Sequence, residues 1–164
     1  TVTNVLYEFL HTTYQSGPVH DITGPVILKG NDNYFDNFIY RSGWSYYKYT
    51  IGTPMITSPV YNTDSSYMIE NNRVIAHHVG IEGNLTEKIR YKTMFTYSIN
   101  MGRYSKPYDN NRNQASALAN ISFPVNMKVP FRVSATLAAD KGTMYGDNIG
   151  IFLSLIKTGE LFKR

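Results

Sequence analysis

Cysteine is absent from all 164 residues, which removes disulfide scaffolds, zinc–thiolate sites and thiol catalysis together. No run of about 18 apolar residues occurs, so no transmembrane helix is expected. Charge is scarce too, at 17% of positions against roughly 25% in ordinary soluble domains. The formal net charge is +4, but Arg41, Lys48, Arg73, Lys88, Arg90, Lys92 and Lys106 stand singly along the chain. Nucleic-acid binding needs a concentrated basic face, so no nucleic-acid partner is expected. Dispersed cations suit phosphate-bearing lipid headgroups equally well. Catalytic signatures are missing: there is no Gly-x-Ser-x-Gly elbow and no His-Glu-x-x-His pair, and Glu8, Glu70, Glu82 and Glu87 are isolated. Glycosidase carboxylates need only be close in space, but the reading is non-catalytic, with no catalytic residue and no cofactor.

What is present in excess is tyrosine, at 14 positions, and a two-residue period. In "NVLYEFLHTTY" (4–14) one face carries Val5, Tyr7 and Phe9. In "EKIRYKTMFTYSIN" (87–100) one face carries Ile89, Tyr91, Thr93, Phe95, Tyr97 and Ile99; the other carries Lys88, Arg90, Lys92, Met94, Thr96 and Ser98. The same alternation predicts strands over 73–83, 114–126, 130–140 and 147–157, and no segment has a helical period. An all-β chain of about six strands follows. Most of these strands run longer than the 5 or 6 residues usual in globular sheets and match the roughly 9 to 11 that a tilted strand needs to cross a bilayer.

Connection lengths sharpen that reading. Joints at 84–86 ("NLT") and 127–129 ("MKV") are tight; those at 105–113 ("SKPYDNNRN") and 141–146 ("KGTMYG") are longer, and 15–72 is very long. Outer-membrane barrels alternate short periplasmic turns with longer extracellular loops. The expectation is therefore an antiparallel transmembrane β-barrel segment with one long extracellular loop, 15–72. Six strands are fewer than the eight of the smallest bacterial barrels. The chain also opens on "TVTNVLYEFL", inside a strand and without Met. Residues 1–164 are thus expected to be the C-terminal portion of a larger barrel, closed by earlier strands.

The long loop holds "GNDNYFDNFIYRSGWSYYKYTIGTPM" (30–55), with three asparagines, two aspartates, one tryptophan and five tyrosines. Amide and carboxylate groups match sugar hydroxyls, and aromatic rings stack on the apolar faces of pyranoses. Asn31, Asp32, Asn33, Tyr34, Trp44, Tyr46 and Tyr47, with Tyr49, form a candidate saccharide surface. The same residues could equally make turns and pack the loop down as a plug. "GNDNYFDN" lacks the EF-hand spacing of calcium ligands, and adjacent His77 and His78 point to opposite faces of a strand; no metal site is expected. Phe162, nearly terminal, resembles the final aromatic of many outer-membrane barrels, displaced by Lys163 and Arg164.

The stretch 30–54, followed by "NNRVIAHHVGIEG" (71–83) and "YKTMFTYSINMGRY" (91–104), with "TTYQSGPVHD" at 12–21, resembles the C-terminal part of capsule-assembly outer-membrane proteins of the Wzi type, especially their Bacteroidetes relatives. The resemblance implies a Gram-negative outer-membrane barrel that holds surface or capsular polysaccharide as a lectin does. Its implied partners are that polysaccharide, outer-membrane lipid, earlier strands of the same barrel and other envelope proteins. In this setting Arg90 and Lys92 are expected to face the lumen and meet an acidic glycan. Two alternatives stand beside it: an accessory barrel subunit of an envelope complex, and a soluble carbohydrate-binding β-sandwich.

Overall fold

Two-residue alternation becomes six long strands. The computed structural model describes residues 1–15, 35, 39, 42–62, 64–125 and 131–157. The strands are β1 (Val2–His11), the short β2 (Ser45–Tyr46) and β3 (Tyr49–Thr50), β4 (Val74–Asn84), β5 (Arg90–Gly102), β6 (Pro107–Val125), β7 (Phe131–Gly142) and β8 (Asn148–Ile156). One antiparallel sheet runs β1-β4-β5-β6-β7-β8, and β2 pairs with β3 separately. Among the described residues there is no α-helix, only a single 3₁₀ turn at Pro59–Tyr61. The all-β, six-strand expectation holds at this level. The sheet is open, with β1 and β8 as its edges, and is not itself a barrel.

Two boundaries differ from the sequence reading. The 105–113 connection is mostly strand, because β6 starts at Pro107 and runs 19 residues. Its Pro, Asp and Asn residues favour turns locally, but pairing with a neighbouring strand overrides that preference. The true turn is 103–106, where the Arg103 N–H donates to Lys106 O at 3.2 Å. Gly102 (φ +77) permits it: a Cβ there would meet Lys106 O at 2.9 Å. Nor is 15–72 wholly irregular, since it contains β2, β3 and the 3₁₀ turn. The expected 127–129 turn and the Phe162 terminus lie outside the described residues.

The chain divides into two compact units. The first comprises Thr1–Glu8, His77–Tyr97 and the described residues of Gln114–Arg164. Here the pairing register aligns side chains across three strands. Asn120, Thr136 and Phe152 share one face, as do Ser122, Ser134 and Ser154; Ala119, Leu137 and Ile151, then Ile121, Ala135 and Leu153, share the other. Part of the polar face is satisfied internally: Asn120 Nδ2 donates to Ser134 Oγ and Thr136 Oγ1, both at 2.7 Å, whereas Arg132 Nη1, on the same face, is buried without a partner among the described residues. His78 Nδ1 and Thr96 Oγ1 meet at 2.7 Å. Burial is inverted relative to a water-soluble sheet. Along β6, residues 117, 119, 121 and 123 on the apolar face are exposed, while 118, 120, 122 and 124 are half-buried. The edge strand β8 is open on both faces: Ile149, Ile151, Leu153 and Leu155 are 71–78% exposed, and Phe152 on the opposite face is 67% exposed.

The second unit, Phe9–Ala76 with Ser98–Asn113, contains the buried apolar core of the described residues: Ile56, Ile69, Val74 and Ala76, with Leu10, Phe35 and Met55 packed against it. A buried amide network ties this core to the strands. The side chain of Asn71, fully buried, donates from Nδ2 to Asn100 Oδ1 (2.8 Å) and Thr57 Oγ1 (3.0 Å). Its Oδ1 accepts from the Gly102 N–H at 3.1 Å. Asn100 Nδ2 donates in turn to Ser98 Oγ and Arg112 O, both at 3.1 Å. Thr57 and Asn71 are thereby joined to Ser98 and Asn100, the part of β5 that belongs to this unit.

Each buried polar group left without a partner costs about 1–3 kcal/mol. Asn71→Ala orphans the Gly102 N–H and the Asn100 carbonyl together, so it should destabilise this unit by roughly 2–4 kcal/mol on that scale. Limited proteolysis within 53–72 reads this directly: faster cleavage in the variant is expected, and unchanged protection would contradict the latch role.

Candidate functional site

Two places gather the candidate residues, one in each unit. The first is the β2–β3 ribbon. Its register pairs Ser45 with Thr50 and Tyr46 with Tyr49, and the Ile51 N–H donates to Trp44 O at 2.8 Å, closing its base. Side chains alternate across a strand, so Trp44, Tyr46, Tyr49 and Ile51 fall on one face. All four are more than half exposed. The ribbon is held down by the chain after it: the Thr50 N–H donates to Ser58 Oγ at 3.0 Å, and the Val60 N–H donates to Lys48 O at 3.0 Å.

The turn of this ribbon is strained. Tyr47 (φ 46) and Lys48 (φ 66) both adopt left-handed backbone, the conformation of a type I′ hairpin turn, where Asn-Gly is usual. Non-glycine residues there cost about 1 kcal/mol or more each. Lys48 offsets its share: Nζ donates to Ser65 O at 2.8 Å and sits 4.4 Å from the centre of the Tyr67 ring. The Tyr47 ring packs edge-on against Tyr46 at 4.6 Å between centroids, yet it is 80% exposed. An aromatic ring is therefore presented at a point where the backbone would prefer glycine or asparagine.

The second place is a cleft of about 360 Å³ in the first unit, lined among others by Glu82, Asn84, Arg90, Lys92, Asn120 and Ser122. Arg90 and Lys92 are two residues apart on β5 and project from its polar face. Asn120 and Ser122 do the same on β6. Glu82 Oε1 accepts from Asn4 Nδ2 at 2.6 Å.

Asn31, Asp32, Asn33 and Tyr34 lie outside the described residues, as do Asp36 and Asn37, the remaining oxygen ligands of the "GNDNYFDN" calcium reading. Trp44, Tyr46 and Tyr47 come together on the ribbon, whereas Arg90 and Lys92 belong to the other unit. Sequence reasoning placed Tyr49 beside them but missed Ile51, which the "WSYYKYTI" alternation itself could have shown. His77 and His78 diverge as expected, His77 Nδ1 meeting Tyr7 Oη at 2.8 Å while His78 meets Thr96. Among the described residues no three His, Asp or Glu side chains gather as a metal cluster.

No protein-family model, no curated protein and no solved structure matches this chain.

If the Tyr47 ring is kept for what it touches and not for the fold, glycine should be tolerated there. Tyr47→Gly is expected to leave thermal stability unchanged or raised by up to about 1 kcal/mol. A clear fall in melting temperature would mean that the ring holds the ribbon together.

Proposed function

We propose that the chain is an arc of a Gram-negative outer-membrane β-barrel of the Wzi capsule-assembly type, which retains surface polysaccharide without chemistry. The observation that carries this reading is the sheet's β6 pattern: an apolar face left exposed, and an opposite face where Asn120 bonds to the hydroxyls of Ser134 and Thr136. Lipid is the solvent that such a face requires. Fully burying a Leu or Ile is worth about 1.5–3 kcal/mol, and a soluble sandwich would cover Ile149, Ile151, Leu153 and Leu155 with a second layer. The dimensions agree as well. On β6 the apolar positions run from Ala115 to Val125, about 34 Å along a strand at 3.4 Å per residue. At a tilt of roughly 40° that is about 26 Å of height, close to the roughly 25 Å apolar band of such barrels.

In this account β1 and β8 are open because earlier strands of the same barrel complete the sheet. An unpaired edge in lipid would leave backbone groups unsatisfied, at several kcal/mol each. The polar face lines the lumen, the apolar face meets outer-membrane lipid, and the long connections lie outside the cell. The ribbon of Trp44, Tyr46 and Tyr49, with Tyr47 at its tip, supplies stacking surfaces for pyranose rings. Asn31, Asp32, Asn33 and Tyr34, which precede the ribbon in the chain, are of residue types that hydrogen-bond sugar hydroxyls.

A second reading is favoured by the same exposed rings. Trp and Tyr dominate protein-interface hot spots, so 15–72 would instead dock another envelope protein in an accessory barrel. Glycan binding by the detergent-extracted protein separates the two. With roughly 0.5–1.5 kcal/mol for each aromatic contact, Trp44→Ala with Tyr46→Ala should weaken glycan retention about ten-fold. The mobility shift between boiled and unboiled samples on SDS gels, typical of a closed barrel, should persist. Undiminished retention would remove those rings from the site, and absence of any mobility shift in the unsubstituted protein would return the chain to a soluble fold.

A further inference from the structure

The cleft between β4, β5 and β6 has a mixed chemistry that points to one kind of ligand. Two cations, Arg90 and Lys92, stand side by side on its wall, and among the described residues neither is ion-paired. Two acceptors face the same space. Glu82 is one; its Oε1 already takes the Asn4 amide, which leaves Oε2. Asn120 is the other. Its Nδ2 is committed to Ser134 and Thr136, so the group it can offer is its carbonyl oxygen. Ser122 adds a hydroxyl that both donates and accepts.

A bare phosphate or polyphosphate suits this set poorly, because the Glu82 carboxylate repels it and the Asn120 carbonyl gains nothing from it. A neutral sugar uses the acceptors but leaves both cations idle. A sugar that carries one carboxylate uses all of them: the carboxylate lies against Arg90 and Lys92 in charge-assisted hydrogen bonds, and its ring hydroxyls donate to Glu82 and Asn120. The volume, about 360 Å³, is at the small end of the range of roughly 300–1,000 Å³ usual for small-ligand sites, enough for a single sugar unit and its substituents.

We infer that this cleft is a subsite for a hexuronate unit, so that the polysaccharide retained is an acidic one. The inference rests on the glycan reading above and specifies it, at a site separate from the aromatic ribbon. Because Arg90 and Lys92 are exposed, their replacement leaves the sheet intact.

The test uses the detergent-extracted full chain and isothermal titration with an oligogalacturonate, its carboxyl-reduced counterpart and inorganic phosphate. The oligogalacturonate should bind at least ten-fold tighter than the reduced sugar, and Arg90→Ala with Lys92→Ala should abolish that difference. The milder pair Arg90→Gln with Lys92→Gln should do the same, with the heat-dependent gel shift preserved in both. Raising salt should shrink the difference, as screening requires. Equal affinity for the two sugars, or a preference untouched by the substitutions, overturns the subsite. Phosphate competing as well as the uronate at matched ionic strength reduces it to a general anion site and overturns the sugar assignment. If the ribbon variants weaken both sugars alike while the acid preference is missing from the start, the glycan reading survives and only this inference fails. If neither sugar binds at all, both fall together.

Discussion

An apolar face left uncovered among the described residues is the constraint on which the rest of this structure depends. In water, four side chains such as Ile149, Ile151, Leu153 and Leu155, at 71–78% exposure, would forgo an amount of burial comparable with the whole stability of a domain, about 5–15 kcal/mol. Exposed apolar patches beyond a few hundred Å² mark interaction surfaces in soluble proteins. Here the patch follows the pleat. Alternate residues at 117–123 of β6, 137 and 139 of β7 and 149–155 of β8 contribute, and the register keeps them adjacent over three strands. Under the proposed reading, such order belongs to a sheet that presents one entire face to an apolar medium.

The opposite face carries amides and hydroxyls that bond to one another. Asn120 bridges Ser134 and Thr136; Gln114, 3% exposed, accepts from the Tyr145 N–H and donates to Gly146 O, fastening the loop between β7 and β8. In the other unit Asn71 and Asn100 perform the same task where 56–72 rests on the strands. Side chains of this kind reward complete satisfaction and punish omission. That makes them suited to fixing a segment in one position.

Much of this was legible in the sequence, for reasons that differ by element. The six strands were readable because alternation at period two persists over nine or more residues, long enough to outweigh local propensity. The ribbon was not, because Tyr47-Lys48 lacks the Asn-Gly chemistry by which a two-residue turn announces itself. The first residues of β6 were hidden by "PYDNNRN", whose turn preference is cancelled only by a strand elsewhere in the chain. Arg90 and Lys92 could be placed on one face from their spacing alone. Their companions Asn120 and Ser122 could not, since the register between β5 and β6 is a long-range property. The Asn71 latch was equally hidden: an asparagine before a strand reads as a turn residue until Gly102 and Asn100 are brought to it.

The central claim is that the apolar face of this sheet meets lipid. Nitroxide labels placed singly at each position from 149 to 155, in the full protein folded into bilayers, would compare collisions with oxygen, enriched in lipid, and with a water-soluble paramagnetic reagent. The account predicts a two-residue oscillation, with oxygen favoured at Ile149, Ile151, Leu153 and Leu155 and disfavoured at Gly150, Phe152 and Ser154. Loss of that alternation, or water access at the four aliphatic positions, would contradict it.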